Sequence, residues 1–434
     1  MTVSRHLRPA VALTAALTLT LTACGGGGGG GESTPGVTGT SVSIGSTLPL
    51  TGAAAPGYSE QGPAAKAFFD YINANGGING RKIDYKYLDD GYNPANTVTL
   101  TKQLVLQDNV FAVLGALGTP THTKVVDFLN SSRVPDLFVA SGCTCWDNPK
   151  DHPYTYGWQP DYTVEGKILG NYVKQNFAGK KVAYFYQDDD FGHDGIKGLD
   201  KYIDQSLVVS RQPYQPGNTD IAAQVSAIAR SQADVVVLEA IPAYTALFKL
   251  TSLKLGYKPQ LVASSVGADP ITVSGLLENF AKQSGTAVKG TDLIEGLVSS
   301  AYLPAGGDTA NSWISLFKKI HDQYIPAIPF DGNVIYAMSY AYTFVQALQA
   351  AGKDLTRQKL LDTLNKGGLA GPGLVPFRYG ADSHAGYTGG QIATIHGGVA
   401  VTSGTPLTTD DADGPIVPYT GAQPAAPANG IPVG

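Results

Sequence analysis

The sequence predicts an α/β fold made of two parallel sheets. Three observations carry that reading. Short apolar runs such as FAVLG (residues 111–115) are typical of strands buried on both faces. Strand-like and helix-like segments alternate through the first third of the chain, the pattern of right-handed crossover units. After a Pro- and aromatic-rich stretch, DNPKDHPYTYGWQPDY (residues 147–162), the alternation restarts, so a second sheet is expected.

The first 23 residues read as a signal peptide. Arg5 and Arg8 make a basic start, and the apolar run 10–21 is too short to span a bilayer. The closing LTAC (residues 21–24) resembles the lipobox of bacterial lipoproteins, which implies lipid on Cys24 and anchoring to the membrane surface. Seven glycines (25–31) and ESTPGVTGT then read as a flexible tether over 24–40. They are no phosphate loop, because no strand precedes them and no Lys-Ser/Thr follows.

In the body, a strand is expected over 42–48, a loop over 49–58 and a helix over 60–75. That helix turns Ala64, Ala65, Phe68, Phe69 and Ile72 toward the core. GGING (76–80) caps it; a strand over 83–88 and a helix over 97–107 follow. After the strand 111–115, Gly118-Thr119-Pro120 turns the chain, with Thr119 able to cap and Pro120 able to start a helix running to about 130. DLFVA (136–140) is extended and leads to a second polar turn, Ser141-Gly142-Cys143-Thr144. Both turns fall at the carboxyl ends of adjacent strands, where parallel sheets bind ligands. Their N–H groups and hydroxyls suit a small carboxylate.

The second sheet is expected from a helix over 163–177, strands over 181–186, 234–238 and 260–263, and helices over 220–229 and 243–255. The turns 239–242 and 264–267 should face the first pair across a cleft. Residues 296–303 are extended and read as a return to the first lobe. Helices 312–323, 332–351 and 356–366, an extended piece 371–377 and a late strand 391–395 follow, with a loose tail over 402–434.

The net charge of −5 argues against nucleic acid and against a polybasic membrane surface. Cys143 and Cys145 are compatible with buried free thiols or with an i,i+2 disulfide, and no second pair completes a metal site. The seven histidines are scattered, no cofactor motif occurs, and His122 reads as a helix-surface residue. Asp188–Asp190 reads as a solvated loop. Ser315-Leu316-Phe317-Lys318 matches S-x-x-K, the remote alternative of an exported serine acyl-enzyme, but has neither S-D-N nor K-T-G to complete it.

Several motifs in order carry a resemblance: PLTG (49–52), INANGGINGRKI (72–83), LDDGYNP (88–94), LGALGTPTH (114–122), VPDLFVASG (134–142), GWQPDYTVEG (157–166) and YQDDDFGHDG (186–195). They resemble the type I periplasmic-binding-protein-like solute-binding proteins, in the Leu/Ile/Val-binding branch of branched-chain amino acid ABC transporters. The resemblance covers about residues 41–401. It implies two Rossmann-like lobes, 41–160 with 296–371 and 161–295 with 372–401, joined by a three-segment hinge near 157–162, 294–299 and 370–375. It also implies permease subunits as partners, a small-molecule ligand, no catalysis and no cofactor.

By the resemblance, Thr119 and the backbone of Leu117 and Gly118 take the ligand's carboxylate, with Ser141, Gly142 and Thr144 as the second contact. Phe191 covers the ligand from the second lobe, and Tyr58 is a side wall. The acid that pairs with the ammonium in amino-acid binders is missing, because that turn reads Ala263-Ser264-Ser265-Val266-Gly267. By position the role falls to Glu239 or Asp269. Failing both, an aromatic or aliphatic carboxylate or a short amide fits better, since an unpaired buried ammonium is expensive. A ligand-sensing ectodomain shares the same features.

Overall fold

The computed structural model describes residues 34–432, so the signal peptide, Cys24 and the glycine run lie outside the described residues. In the first lobe come β1 (Ser41–Leu48), the kinked turn α1 (Ala55–Tyr58), α2 (Gln61–Ala74), β2 (Lys82–Asp89) and α3 (Pro94–Leu106). β3 (Ala112–Leu114), α4 (Thr119–His122), α5 (Val126–Ser131), β4 (Asp136–Val139) and β5 (Thr155–Gly157) complete its sheet. The strands pair in parallel, in the order β2-β1-β3-β4-β5.

The second lobe begins with α6 (Tyr162–Asn176), β6 (Val182–Gln187), α7 (Asp190–Leu199), β7 (Val208–Tyr214), α8 (Ala222–Ser231) and β8 (Val235–Glu239). It continues with α9 (Pro242–Lys254), β9 (Gln260–Ala263), α10 (Pro270–Gln283), α11 (Gly290–Leu293) and β10 (Val298–Ala301). The chain then adds α12 (Ser312–Tyr324), α13 (Gly332–Ala351) and α14 (Arg357–Asn365), of which α12 and α13 pack on α2 in the first lobe. β11 (Gly389–His396), β12 (Val399–Thr408) and β13 (Val417–Pro418) extend the second sheet, which runs β13-β12-β11-β10-β9-β8-β6-β7.

Local chemistry explains the boundaries. α3 starts three residues before its expected position because Asn93 caps it, accepting from the Ala95 N–H. Asp161 caps α6 through the Val164 N–H at 2.7 Å, and Asp331 caps α13 through the Asn333 and Val334 N–H groups. Phe68 and Phe69 of α2 are fully buried and meet Phe317, Tyr342 and Phe344 edge-on. Each such side chain contributes roughly 1.5–3 kcal/mol of apolar burial. At the crossing after β5, Trp158 is buried, gives its Nε1–H to Thr343 Oγ1 and packs edge-on against Tyr336 and Tyr387.

Several expectations are corrected. The helix expected from 119 to about 130 is broken into α4 and α5 at Val125, whose φ of −123° is not helical. The break accompanies an inward His122: its Nε2 lies 2.9 Å from both Asp136 oxygens and its ring meets Trp146 edge-on, so it is buried and not a surface residue. Residues 296–303 do not return to the first lobe. β10 pairs with β9 and β11, and the chain crosses only afterwards. Residues 371–377 form no strand, whereas β5 arises inside the Pro- and aromatic-rich stretch 147–162.

Both ends of the described chain are docked, against expectation. Residues 34–40 fold onto the first lobe, with the Gly36 carbonyl accepting from the Ser43 N–H and Val37 bridging to Val42. The tail 402–434 was expected to be loose, yet it supplies most of β12 and all of β13. Its carbonyls at Asp410, Ala412 and Gly414, with Asp410 Oδ1, accept from the buried Lys167 Nζ at 2.8–3.1 Å. Pro424 O accepts the Trp313 Nε1–H at 2.6 Å. A buried ammonium needs that many oxygens, and the tail is where it finds them.

Candidate ligand-binding cleft

A cavity of about 350 Å³ lies between the lobes and is lined from both sides. At roughly 30 Å³ for each water-sized group, it has room for about a dozen. The first lobe contributes Tyr58, Gln61, Tyr92, Leu117, Gly118 and Thr119. The second contributes Phe191, Ile241, Ser265, Val266 and Asp269. Gln159, Ser300, Tyr302 and Tyr336 line the hinge side.

The first polar turn keeps its expected place but not its expected chemistry. Gly118, not Thr119, is the cap residue of α4, at φ +111°. A Cβ there would meet Thr121 Oγ1 at 2.5 Å and the Tyr92 ring at 2.6 Å, so only glycine fits. The Leu117 and Gly118 N–H groups are already spent on the Thr47 and Ala140 carbonyls. The Thr119 hydroxyl, free of capping, meets the Ser141 hydroxyl at 2.7 Å. Burial pushes the nearby Tyr162 hydroxyl up to about 12. Tyr162 also packs its ring 4.5 Å from Phe191.

The second turn lies one layer behind the wall. Ser141 is buried beneath Thr119 and accepts from the Cys143 N–H. Gly142 is sealed by Pro160 and Tyr162, its carbonyl accepting from the Tyr162 N–H at 2.7 Å. Thr144 gives its N–H and hydroxyl to Asp194 of α7. None of the three lines the cavity; Ala140 does. Cys143 and Cys145 form a disulfide with Cα atoms 5.1 Å apart, which decides between the two readings of the pair.

Among the described residues the lining holds no Lys, Arg or His. Its acids are Asp269 and Asp331, and both are committed across the cleft. Asp269 caps α10 through the Thr272 N–H and accepts the Gly332 N–H with its other oxygen, each at 2.8 Å. In return the Thr272 hydroxyl donates to Asp331 Oδ2 at 2.8 Å. Burial, then the charge of Asp331, pushes Asp269 up to about 6 and nearby Glu60 up to about 9.

Glu239 does not reach the cavity. It is buried against Gly195, its Oε1 has no partner, and burial together with the charge of Glu165 raises it well above the usual carboxylate range. Of the residues singled out from sequence, Tyr58, Leu117, Gly118, Thr119, Phe191, Ser265 and Asp269 line the cavity. Tyr92, Gln61, Gln159, Tyr162, Ser300, Tyr302 and Tyr336 were missed. Tyr92 and Tyr162 sit inside motifs that carry the resemblance, LDDGYNP and GWQPDYTVEG, and a positive φ of 59° at Tyr92 marks a held conformation. Of the Asp188–Asp190 run, only Asp189 leaves the solvated role, capping α7 through the Phe191 N–H.

Ser315 and Lys318 of the S-x-x-K segment engage other partners than each other. Ser315 is exposed on α12 and donates to Thr309 O, while Lys318 is paired with Asp322.

The sequence profile of the family described as Periplasmic binding protein matches residues 41–399. The chain is 26% identical over 212 residues to the Leu/Ile/Val-binding protein homolog 3 of Brucella melitensis, covering 45% of this chain and 53% of that protein. It is 28% identical over 208 residues to an amino acid binding protein of Pseudomonas aeruginosa, covering 45% and 52%. The chain thus spans about half the length of these curated relatives. Among solved structures, it superimposes on a branched-chain amino acid ABC transporter protein of Thermus thermophilus with bound valine at a TM-score of 0.71 and 20% identity, over 86% of this chain and 97% of that one. A fatty acid ABC transporter substrate-binding protein from Thermomonospora curvata gives a TM-score of 0.73 at 22% identity, over 88% and 95%. With two lobes of parallel sheet, a cleft between them and a profile match along almost the whole described chain, this protein belongs to the periplasmic binding protein family, of type I architecture and with relatives in its branched-chain amino acid branch.

Proposed function

We propose that this protein is the extracytoplasmic, lipid-anchored solute-binding component of an ABC importer, and that it takes a branched-chain amino acid or a similar small hydrophobic carboxylate between its lobes. The observation that carries the reading is the cleft itself, whose hydroxyls at Thr119 and Tyr162 face an apolar remainder built of Phe191, Ile241 and Leu117. A cavity of this size, with polar and apolar walls, suits one small amphipathic ligand. Binding favours the closed form, which the permease then recognises, and nothing is catalysed. Lipid on Cys24 holds the protein beside its transporter. No described helix is long and apolar enough to cross a membrane.

A second reading, an aromatic or longer aliphatic acid, is favoured by the ring-rich wall of Tyr58, Tyr92, Tyr162 and Phe191. Short amides and a sensory ectodomain role stay behind it. A thermal-shift screen with leucine, isoleucine, valine, aromatic acids and short amides separates them. Ligand at 100 times its Kd stabilises by about 2.7 kcal/mol. A rise with the branched-chain amino acids is expected, a rise with aromatic acids alone selects the second reading, and no rise with any acid rejects the small-carboxylate reading.

A further inference from the structure

The turn after β9 has no acid of its own, yet the structure places one directly behind it. Glu165 of α6 is buried and accepts three hydrogen bonds there: from the Ser264 hydroxyl at 2.9 Å, the Ser265 N–H at 2.7 Å and the Ser300 hydroxyl at 2.5 Å. Ser265 and Ser300 line the cavity, and Glu165 does not. We infer that Glu165, acting through Ser300, supplies the negative charge against which an ammonium group of the ligand is held. This rests on the small-ligand reading proposed above.

Hydrogen-bond direction carries the inference. A serine hydroxyl has one proton. Ser300 gives its proton to Glu165, so it offers the cavity only acceptor lone pairs. The Ser264 hydroxyl is also spent, donating to Glu165 and accepting from the Val266 N–H. At Ser300 the wall therefore receives donors and disfavours a carboxylate. An ammonium at hydrogen-bond distance from Ser300 lies within about 5 Å of the Glu165 carboxylate, inside the range over which opposite charges stabilise each other.

Asp269 and Asp331 also line the cavity, but each holds a helix N-terminus and a group of the opposite lobe, and Glu239 is sealed behind Gly195. With Thr119 of the first lobe taking the carboxylate, the cleft orients a zwitterion. Glu165 is a positioning residue that need not touch the ligand.

The test titrates the mature protein calorimetrically with L-leucine and with 4-methylpentanoate, the same skeleton without its ammonium. Wild type should favour leucine. Glu165→Gln should weaken leucine at least about tenfold and leave 4-methylpentanoate within about threefold. Ser300→Ala, which keeps Glu165 and carries the test if the glutamine variant fails to fold, should show the same selective loss. Equal losses for both ligands, unchanged leucine affinity in both variants, or wild-type preference for 4-methylpentanoate overturns the inference while leaving the small-carboxylate reading intact. Binding of neither compound by wild type rejects that reading, and the inference with it.

Discussion

Thr144 and Asp194 join the two lobes at a single oxygen: the Thr144 N–H and hydroxyl both donate to Asp194 Oδ2, at 2.9 and 3.0 Å. The disulfide of Cys143 and Cys145 brackets Thr144 and fixes the turn that presents it. Hydrogen bonds to a charged group contribute about 1.5–3 kcal/mol each, and these two exist only when the lobes are together. Asp194→Ala should lower leucine affinity by roughly tenfold by depleting the closed state, and should increase the radius of gyration of the ligand-free protein in small-angle scattering. Identical scattering and affinity would show that the pair does not hold the lobes closed.

Phe191 reaches the cavity from the first turn of α7 and packs on Tyr162, which also lines it. Removing it opens a void and frees Tyr162. Phe191→Ala should weaken leucine by about 2 kcal/mol or more, while Phe191→Leu retains most of the affinity. Calorimetry on both variants checks this; equal binding by the alanine variant and wild type would take Phe191 out of the site.

Glu60 gives the fold a pH dependence. Burial, then the charge of Asp331, moves it from 4.5 to about 9, and its Oε2 has no partner. The folded state therefore holds a proton that the unfolded chain releases, so stability falls as pH rises from about 4.5 to about 9. Glu60→Gln should melt with wild type below that window and a few degrees above it near pH 8. A constant difference across pH would mean that Glu60 ionises normally.

Much of the fold was legible because it is local. The 332–351 helix, with its apolar stripe and its Asp331 cap, stands where its pattern put it. The alternation of short apolar strands with helices marked both parallel sheets, the Gly118-Thr119 turn was legible as a cavity wall because parallel strands expose their carboxyl ends, and Phe191 was legible through the family resemblance. The reading failed where partners are remote. β10 is as short and polar as a hinge segment, VSSA, and becomes a strand only between β9 and β11. The tail has the composition of a linker, yet Lys167 and Trp313 give it partners.

The sequence by itself determined the two-lobed α/β class, the polar turns at the strand ends, the family and the absence of an acid at the turn after β9. Only the tertiary structure decided which groups line the cleft. It withdrew Ser141, Gly142, Thr144 and Glu239 behind the wall, turned His122 inward to Asp136, and brought Glu165 to Ser300 from 135 residues away. The reason is that strand and turn propensities act over a few residues, whereas a buried carboxylate must find its donors wherever packing places them.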